Sequence, residues 1–140
     1  MAGELEAYAP KDRELRAILG DARVVAVVGL SSKPYRPSHE VAEYLQRKGY
    51  RIIPVNPNEA EVLGERAYAS LLDIPGEVEV DVVDVFRRAE ETVQVARDAV
   101  RIGAKVLWLQ SGIVNEEARE IPHGEGQDLL DLGFARAQLG

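Results

Sequence analysis

The segment Gly29-Leu30-Ser31-Ser32-Lys33-Pro34-Tyr35-Arg36-Pro37-Ser38 gathers three serines, two cations and a glycine between an apolar run and the start of a helical pattern. Those residue types in that order have the chemistry of an anion site. Unpartnered amides at a helix N-terminus, with a dipole equivalent to about half a positive charge, favour an anion by roughly 0.3–1 kcal/mol, and phosphate is the natural guest. Gly29 allows close approach to the backbone, Ser31, Ser32 and Ser38 offer hydroxyl donors, and Lys33 and Arg36 add full charges that pair with phosphate oxygens. Each has a plainer alternative: Gly29 turns the chain, Ser38 caps a helix, and the cations are solvated. Their concentration in one loop favours binding.

The elements that must position this loop follow from periodicity. Val24 to Val28 is a continuous apolar run ended by glycine, which suits a strand covered on both faces. From Ser38 the period changes: Val41, Ala42 and Leu45 share one helical face, Arg47 and Lys48 occupy the last turn, and Gly49 closes it. Arg51 to Val55 reads as a second strand stopped at Pro54-Val55-Asn56-Pro57, completing a βαβ unit. Val62 to Ala69 is a weaker candidate for a short strand. After the turn at Pro75-Gly76, Val80 to Phe86 forms a third strand, and Ala89, Val93, Ala96 and Val100 form the stripe of the next helix, ended by Gly103. Lys105 to Gln110 is the fourth strand, followed by Ser111-Gly112 and a helix capped by Asn115. A short helix over Asp12 to Leu19 opens the chain, and Leu129, Leu130 and Leu132 supply a short strand or helix near its end. The expected fold is α/β: a Rossmann-like, open, mostly parallel sheet with helices on both faces, in a single domain over 1–140.

Ligands of such sheets bind beyond the carboxyl ends of the strands. Those ends carry Leu30 with the first loop, Val55, Asn56 and Pro57 after the second strand, Val85, Phe86 and Arg87 after the third, and Gln110 and Ser111 after the fourth. Arg87 and Arg88, read as a first helical turn, oppose the helix dipole unless an anion is near, which tilts Arg87 toward function. Phe86 flanks a base or is a core residue at a strand end, with equal weight. Trp108 reads as core, Asp81 as lying inside a strand, and His39 as a surface residue; Asp84 has no assigned role. A dinucleotide fingerprint is missing, since no glycine follows Gly29 at the next two fingerprint positions and Asn56 stands where NAD sites carry an acid.

The whole chain narrows the classes further. It has 140 residues, 46% apolar and 29% charged, enough for one core. A net charge of −7 repels polyanions, so neither nucleic acid nor an anionic membrane is an expected partner, whereas a small anionic ligand remains open. His39 and His123 lack metal-ligand spacing, and with no cysteine there is no thiolate chemistry. No apolar run approaches the roughly 20 residues that span a bilayer, and the N-terminus lacks a secretory pattern, making the cytoplasm the default location. The serines have no candidate base beyond His39, so no catalytic constellation is assembled.

Four ordered segments, Val25 to Val41, Pro54-Val55-Asn56-Pro57, Asp81 to Arg87 and Trp108 to Ile113, resemble the small single-domain CoA-binding proteins, which are similar to the N-terminal CoA-binding domain of the succinyl-CoA synthetase α subunit. That resemblance implies a Rossmann-like fold holding coenzyme A, or an acyl-CoA, without nicotinamide. Gly29, Ser31, Ser32, Lys33, Arg36 and Ser38 would embrace the phosphates, and Asn56 and Pro57 would lie near the adenosine. Val85, Phe86 and Arg87 would line the pocket, with Gln110 and Ser111 on the far wall. The chain departs from the family after His123, where the implied final strand, Asp-Arg-Cys segment and basic tail meet a sequence without cysteine. In the synthetase, the resemblance implies, ligation depends on a phosphorylated histidine in another domain, which a chain of this length does not hold. The expected function is therefore non-catalytic CoA binding. An alternative is a small oxidoreductase or transferase subunit using NAD(P) or another nucleotide in the same cleft, with Lys33 and Arg36 serving a 2′-phosphate. A third is a regulatory partner that has lost its ligand. A homodimer is expected by analogy alone.

Overall fold

The computed structural model describes residues 20–109 and the strand Asp128–Asp131. Along the chain run β1 (Val24–Val28), α1 (Pro37–Arg47), β2 (Arg51–Val55), β3 (Glu61–Val62), β4 (Glu65–Arg66), β5 (Val82–Val85), α2 (Thr92–Arg101), β6 (Val106–Leu109) and β7 (Asp128–Asp131). Five strands form one all-parallel sheet in the order β2-β1-β5-β6-β7, while β3 and β4 make a separate antiparallel hairpin.

The alternation of a strand explains the layering. Val25 and Val27 of β1 join Val41, Ala42 and Leu45 of α1 in one core, whereas Ala26 and Val28 join Ala96 and Ala99 of α2 in another. The sheet is thus apolar on both faces, and each fully buried valine or leucine contributes about 1.5–3 kcal/mol. Trp108 of β6 is fully buried on the α1 side. This is the expected three-layer α/β arrangement. Because the chain leaves β1 toward α1 on one face and leaves β5 toward α2 on the other, a crevice opens between the ends of these neighbouring strands.

Proline suits β2 because β2 is the last strand of the sheet. Beyond it, among the described residues, an isolated bridge forms: the Tyr68 amide donates to the Pro54 carbonyl at 3.0 Å, and the Asn56 amide to the Tyr68 carbonyl at 2.8 Å. The weak segment after β2 begins as the β3–β4 hairpin, whose turn residues Leu63 and Gly64 both have positive φ, 54° and 79°. The Gln46 side chain ties the turn to α1 by donating to the Leu63 carbonyl at 3.1 Å.

Three expectations are corrected. Asp81 lies ahead of β5, not inside it: its Oδ2 accepts from the Arg23 and Val24 amides at 2.8 and 2.9 Å, and its Oδ1 lies 3.2 Å from Lys105 Nζ. Burial opposes ionisation there, but these donors outweigh it and hold the carboxyl below the usual carboxylate range. The buried face of α2 is Thr92, Ala96 and Ala99, with Val93 and Val100 only half-buried, because the helix starts after a 3-10 turn at Ala89–Glu91 that shifts its phase. The third strand is also shorter than Val80 to Phe86. The opening helix over Asp12 to Leu19 and the helix after Ser111-Gly112 lie outside the described residues. Near the C-terminus, β7 pairs parallel with β6, so a fifth strand is present despite the divergent sequence there. Among the described residues no helix is long and apolar enough to cross a membrane.

Candidate functional site

Three strand ends build the site, beginning at Gly29. Its amide donates to the Val55 carbonyl at 2.8 Å, and beside it the Phe86 amide donates to Val28 at 2.8 Å, so the exits of β1, β2 and β5 are pinned together. Gly29 has φ +88°, and a Cβ there would lie 2.3 Å from the Phe86 carbonyl oxygen and 3.4 Å from Arg87 Nε. Only glycine permits this approach, which also sets the Arg87 guanidinium against the start of the β1–α1 loop.

That loop is braced from within. The Ser31 amide donates to Ser38 Oγ at 3.1 Å, the Lys33 amide to Ser31 Oγ at 3.1 Å, and the Arg36 amide to the Lys33 carbonyl at 3.0 Å. His39 is corrected from a surface residue to a buried one, 8% exposed, whose Nδ1 lies 2.8 Å from the Ser31 carbonyl and so carries the proton it donates. Ser38 is not the helix cap either: Arg36 holds that position and Pro37 opens the helix. Proline has no N–H, and the His39 and Glu40 amides both donate to the Arg36 carbonyl at 3.1 Å. Few first-turn amides therefore remain to face a ligand, and the burden of holding an anion shifts to the cationic side chains.

Asn56 joins the second strand end to the first. It is buried, and its Nδ2 donates to the Leu30 carbonyl at 3.1 Å while its Oδ1 accepts from the Asn58 amide at 3.0 Å. The resulting Asx turn directs Glu59 back toward the first loop, where Glu59 Oε2 accepts from the Ser32 amide at 2.8 Å. At the third strand end, Phe86 and Arg87 are half-buried and Arg88 is exposed. The two arginines precede the 3-10 turn, whose first residues include Glu90 and Glu91, so they do not occupy a helical first turn. Proximity to Gly29 replaces the dipole as the reason to place Arg87 in the site.

These ends enclose a cavity of about 990 Å³. Of the residues expected there, Gly29, Ser31, Ser32, Lys33, Arg36, Ser38, Asn56, Phe86 and Arg87 line it. Leu30 and Val85 are fully buried core residues and do not. Val55 and Pro57 line an adjoining cavity of about 420 Å³ that shares Asn58 and Arg87 with the first and is walled by Val28, Leu71 and Val95. Gln110 and Ser111 lie outside the described residues. Pro37, Asn58, Glu59 and Arg88 also line the larger cavity. The signal for Asn58 and Glu59 was the asparagine ahead of them, since an Asx turn folds the next residues back.

Four cations, Lys33, Arg36, Arg87 and Arg88, thus share a cavity with one carboxylate, Glu59, in a chain of net charge −7. Among the described residues none of the four forms a salt bridge; the pair found there is Lys105–Asp81, away from the cavity. Lys33, Arg36 and Arg88 are exposed and Arg87 is half-buried, and such convergent positive charge in a concave site attracts a multiply charged anion. Among the described residues no cluster of potential metal ligands occurs.

Residues 23–132 match the family model of the CoA binding domain. The chain is 43% identical over 121 residues to the uncharacterized protein YneT of Bacillus subtilis strain 168, spanning 86% of this chain and 88% of that one. It is 30% identical over 118 residues to the alpha subunit of an ADP-forming acetate–CoA ligase II from Pyrococcus furiosus, covering 77% of this chain but 26% of the ligase subunit. A hypothetical protein from Pyrococcus horikoshii OT3 has the same fold, with TM-score 0.79 and 38% identity over 87% of this chain and 84% of its own. By sequence and by fold, the chain belongs to the CoA-binding domain family.

Proposed function

We propose that the protein binds coenzyme A or an acyl-CoA in this cleft without catalysing a reaction on it. The observation that carries the reading is the set of four cations without intramolecular ion pairs among the described residues, gathered in one cavity of a strongly acidic chain. CoA presents a diphosphate and a 3′-phosphate, and an anion of that charge matches the set. Lys33, Arg36 and Arg87 take the phosphates, assisted by Arg88 and the hydroxyls of Ser31 and Ser32. Asn56 and Pro57 lie by the adenosine, with the adjoining cavity accepting its flat apolar base beside Val55. Phe86 flanks the ligand, while Leu30 and Val85 support the walls from the core. The volume of about 990 Å³ stands at the upper end of the roughly 300–1,000 Å³ typical of ligand sites.

The non-catalytic part of the reading is supported by His39, a base beside the serine loop, whose Nδ1 is committed to the Ser31 carbonyl. The cavity's groups hold charge rather than move protons. On this reading 1–140 is one CoA-binding domain acting in the cytoplasm.

One observation favours the nucleotide alternative: Glu59 supplies near β2 the carboxylate that NAD sites use on ribose hydroxyls. Glu59 is, however, engaged by the Ser32 amide, and four cations exceed what the two charges of NAD require. The test is calorimetric titration of CoA into wild type and the Lys33→Ala/Arg87→Ala double variant. Loss of two charge-assisted contacts weakens binding at least tenfold. Unchanged affinity in a folded double variant refutes the assignment.

A further inference from the structure

The cavity is not wholly vacant of negative charge, because the protein places one of its own carboxylates among the phosphate-seeking groups. Glu59 Oε2 accepts from the Ser32 amide at 2.8 Å, in a loop where three further amides are satisfied by neutral groups: Ser31 by Ser38 Oγ, Lys33 by Ser31 Oγ, Arg36 by the Lys33 carbonyl. The Ser32 amide is thus the loop donor already turned to an anion. Glu59 is half-buried and shares the cavity with Lys33, Arg36, Arg87 and Arg88, yet among the described residues it forms no salt bridge with any of them. Its backbone is fixed independently of its carboxylate, since the Glu59 amide donates to the Asn56 carbonyl at 3.2 Å and Asn56 Oδ1 holds the Asn58 amide. Side-chain rotation alone is enough to release the Ser32 amide.

The geometry points to Glu59 as a built-in competitor for the ligand's phosphate, a residue that sets affinity by occupying the Ser32 amide until a polyanion displaces it. This rests on the cavity being a phosphate site, as proposed above. Two physical consequences follow. A weakly charged ligand does not recover the cost of moving a carboxylate out and bringing a second anion in, so the site discriminates in favour of ligands carrying a diphosphate or more. The same carboxylate also keeps the two loops joined at a second point when no ligand is bound, beside the Asn56 link to Leu30.

A competitor and a ligand contact make opposite predictions. If Glu59 instead accepted from ribose hydroxyls, or merely held the loops in place, its removal would weaken binding or leave it unchanged. Calorimetric titration of the full chain with inorganic pyrophosphate and with CoA, for wild type, Glu59→Gln and Glu59→Ala, separates these. Glu61→Gln, an exposed carboxylate two residues on and outside the cavity, controls for net charge. Removing one negative charge a few ångströms from a dianion tightens binding about tenfold. The competitor role is supported if pyrophosphate binds at least threefold tighter to both Glu59 variants and not to Glu61→Gln. It is overturned if the gain is smaller, absent, reversed or shared by the control. If pyrophosphate behaves as expected while CoA binds none of the proteins, the competitor stands and the CoA assignment falls. If both pyrophosphate and CoA bind wild type and the Glu59 variants equally, the competitor falls and the CoA assignment stands. Binding of neither probe to any variant overturns both.

Discussion

Replacing Gly29 by alanine tests the geometry on which the whole cleft depends. At φ +88° an L-residue is strained by about 1–2 kcal/mol. The added Cβ would sit 2.3 Å from the Phe86 carbonyl oxygen, a backbone atom that cannot rotate away, so the exits of β1 and β5 must move apart. Overpacking of that kind costs about 1–3 kcal/mol, and the two effects together come to about 2–5 kcal/mol, a large part of the 5–15 kcal/mol by which a domain is stable. The displacement also loosens the Phe86 amide from Val28 and moves Arg87 Nε away from the loop. Urea unfolding followed by circular dichroism reads the stability. With a slope of about 2 kcal/mol/M, the midpoint falls by about 1–2.5 M, and CoA affinity falls with it. Gly76→Ala is the comparison, because nothing lies within 4 Å of its added Cβ; a change within about 0.5 kcal/mol is expected there. A loss below about 1 kcal/mol for Gly29→Ala, with CoA binding retained, refutes the reasoning.

Asp81→Ala removes two charge-assisted bonds to the Arg23 and Val24 amides and is expected to destabilise by about 2–3 kcal/mol, whereas Lys105→Ala, losing a pair whose lysine is 65% exposed, costs under about 1 kcal/mol. Because the folded carboxyl titrates below its unfolded value near 3.9, that stability is present above the unfolded value and lost as pH falls through the folded one; the wild-type advantage over Asp81→Ala shrinks on acidification below about pH 4, as unfolding curves at pH 7 and pH 3 will show. His39→Ala frees the Ser31 carbonyl and costs about 1–3 kcal/mol by thermal unfolding, with CoA affinity reduced because the Ser31–Ser38 brace loosens; retention of both would assign His39 no part in the loop.

The order of elements was legible because each strand reads as a compact apolar run and each helix as a change of period. The first loop was legible because its serines, cations and glycine are adjacent in sequence. Elsewhere the signal was weaker or spatial. His39 reads as polar, yet it lies three residues before Ala42 on the face that α1 buries, so the periodicity that marked Val41, Ala42 and Leu45 extends to it. Asp81 resembles a strand residue because an acid before valines carries no mark that it caps the amides of Val24, the first residue of β1, and of Arg23 just ahead of it, 57 and 58 residues away. Glu59 sits in a polar loop of no periodicity, and only the turn at Asn56 brings it to Ser32. Arg87 lines the cavity for a reason other than the one its sequence suggests, since the steric demand at Gly29 and not a helix dipole sets it there.

Titration calorimetry with CoA and NAD against the same wild-type sample addresses the central claim most directly. CoA is expected to bind with one-to-one stoichiometry and more tightly than NAD, with an affinity that falls as salt rises. Tighter binding of NAD, or no heat from CoA at protein concentrations where the fold is intact, contradicts it.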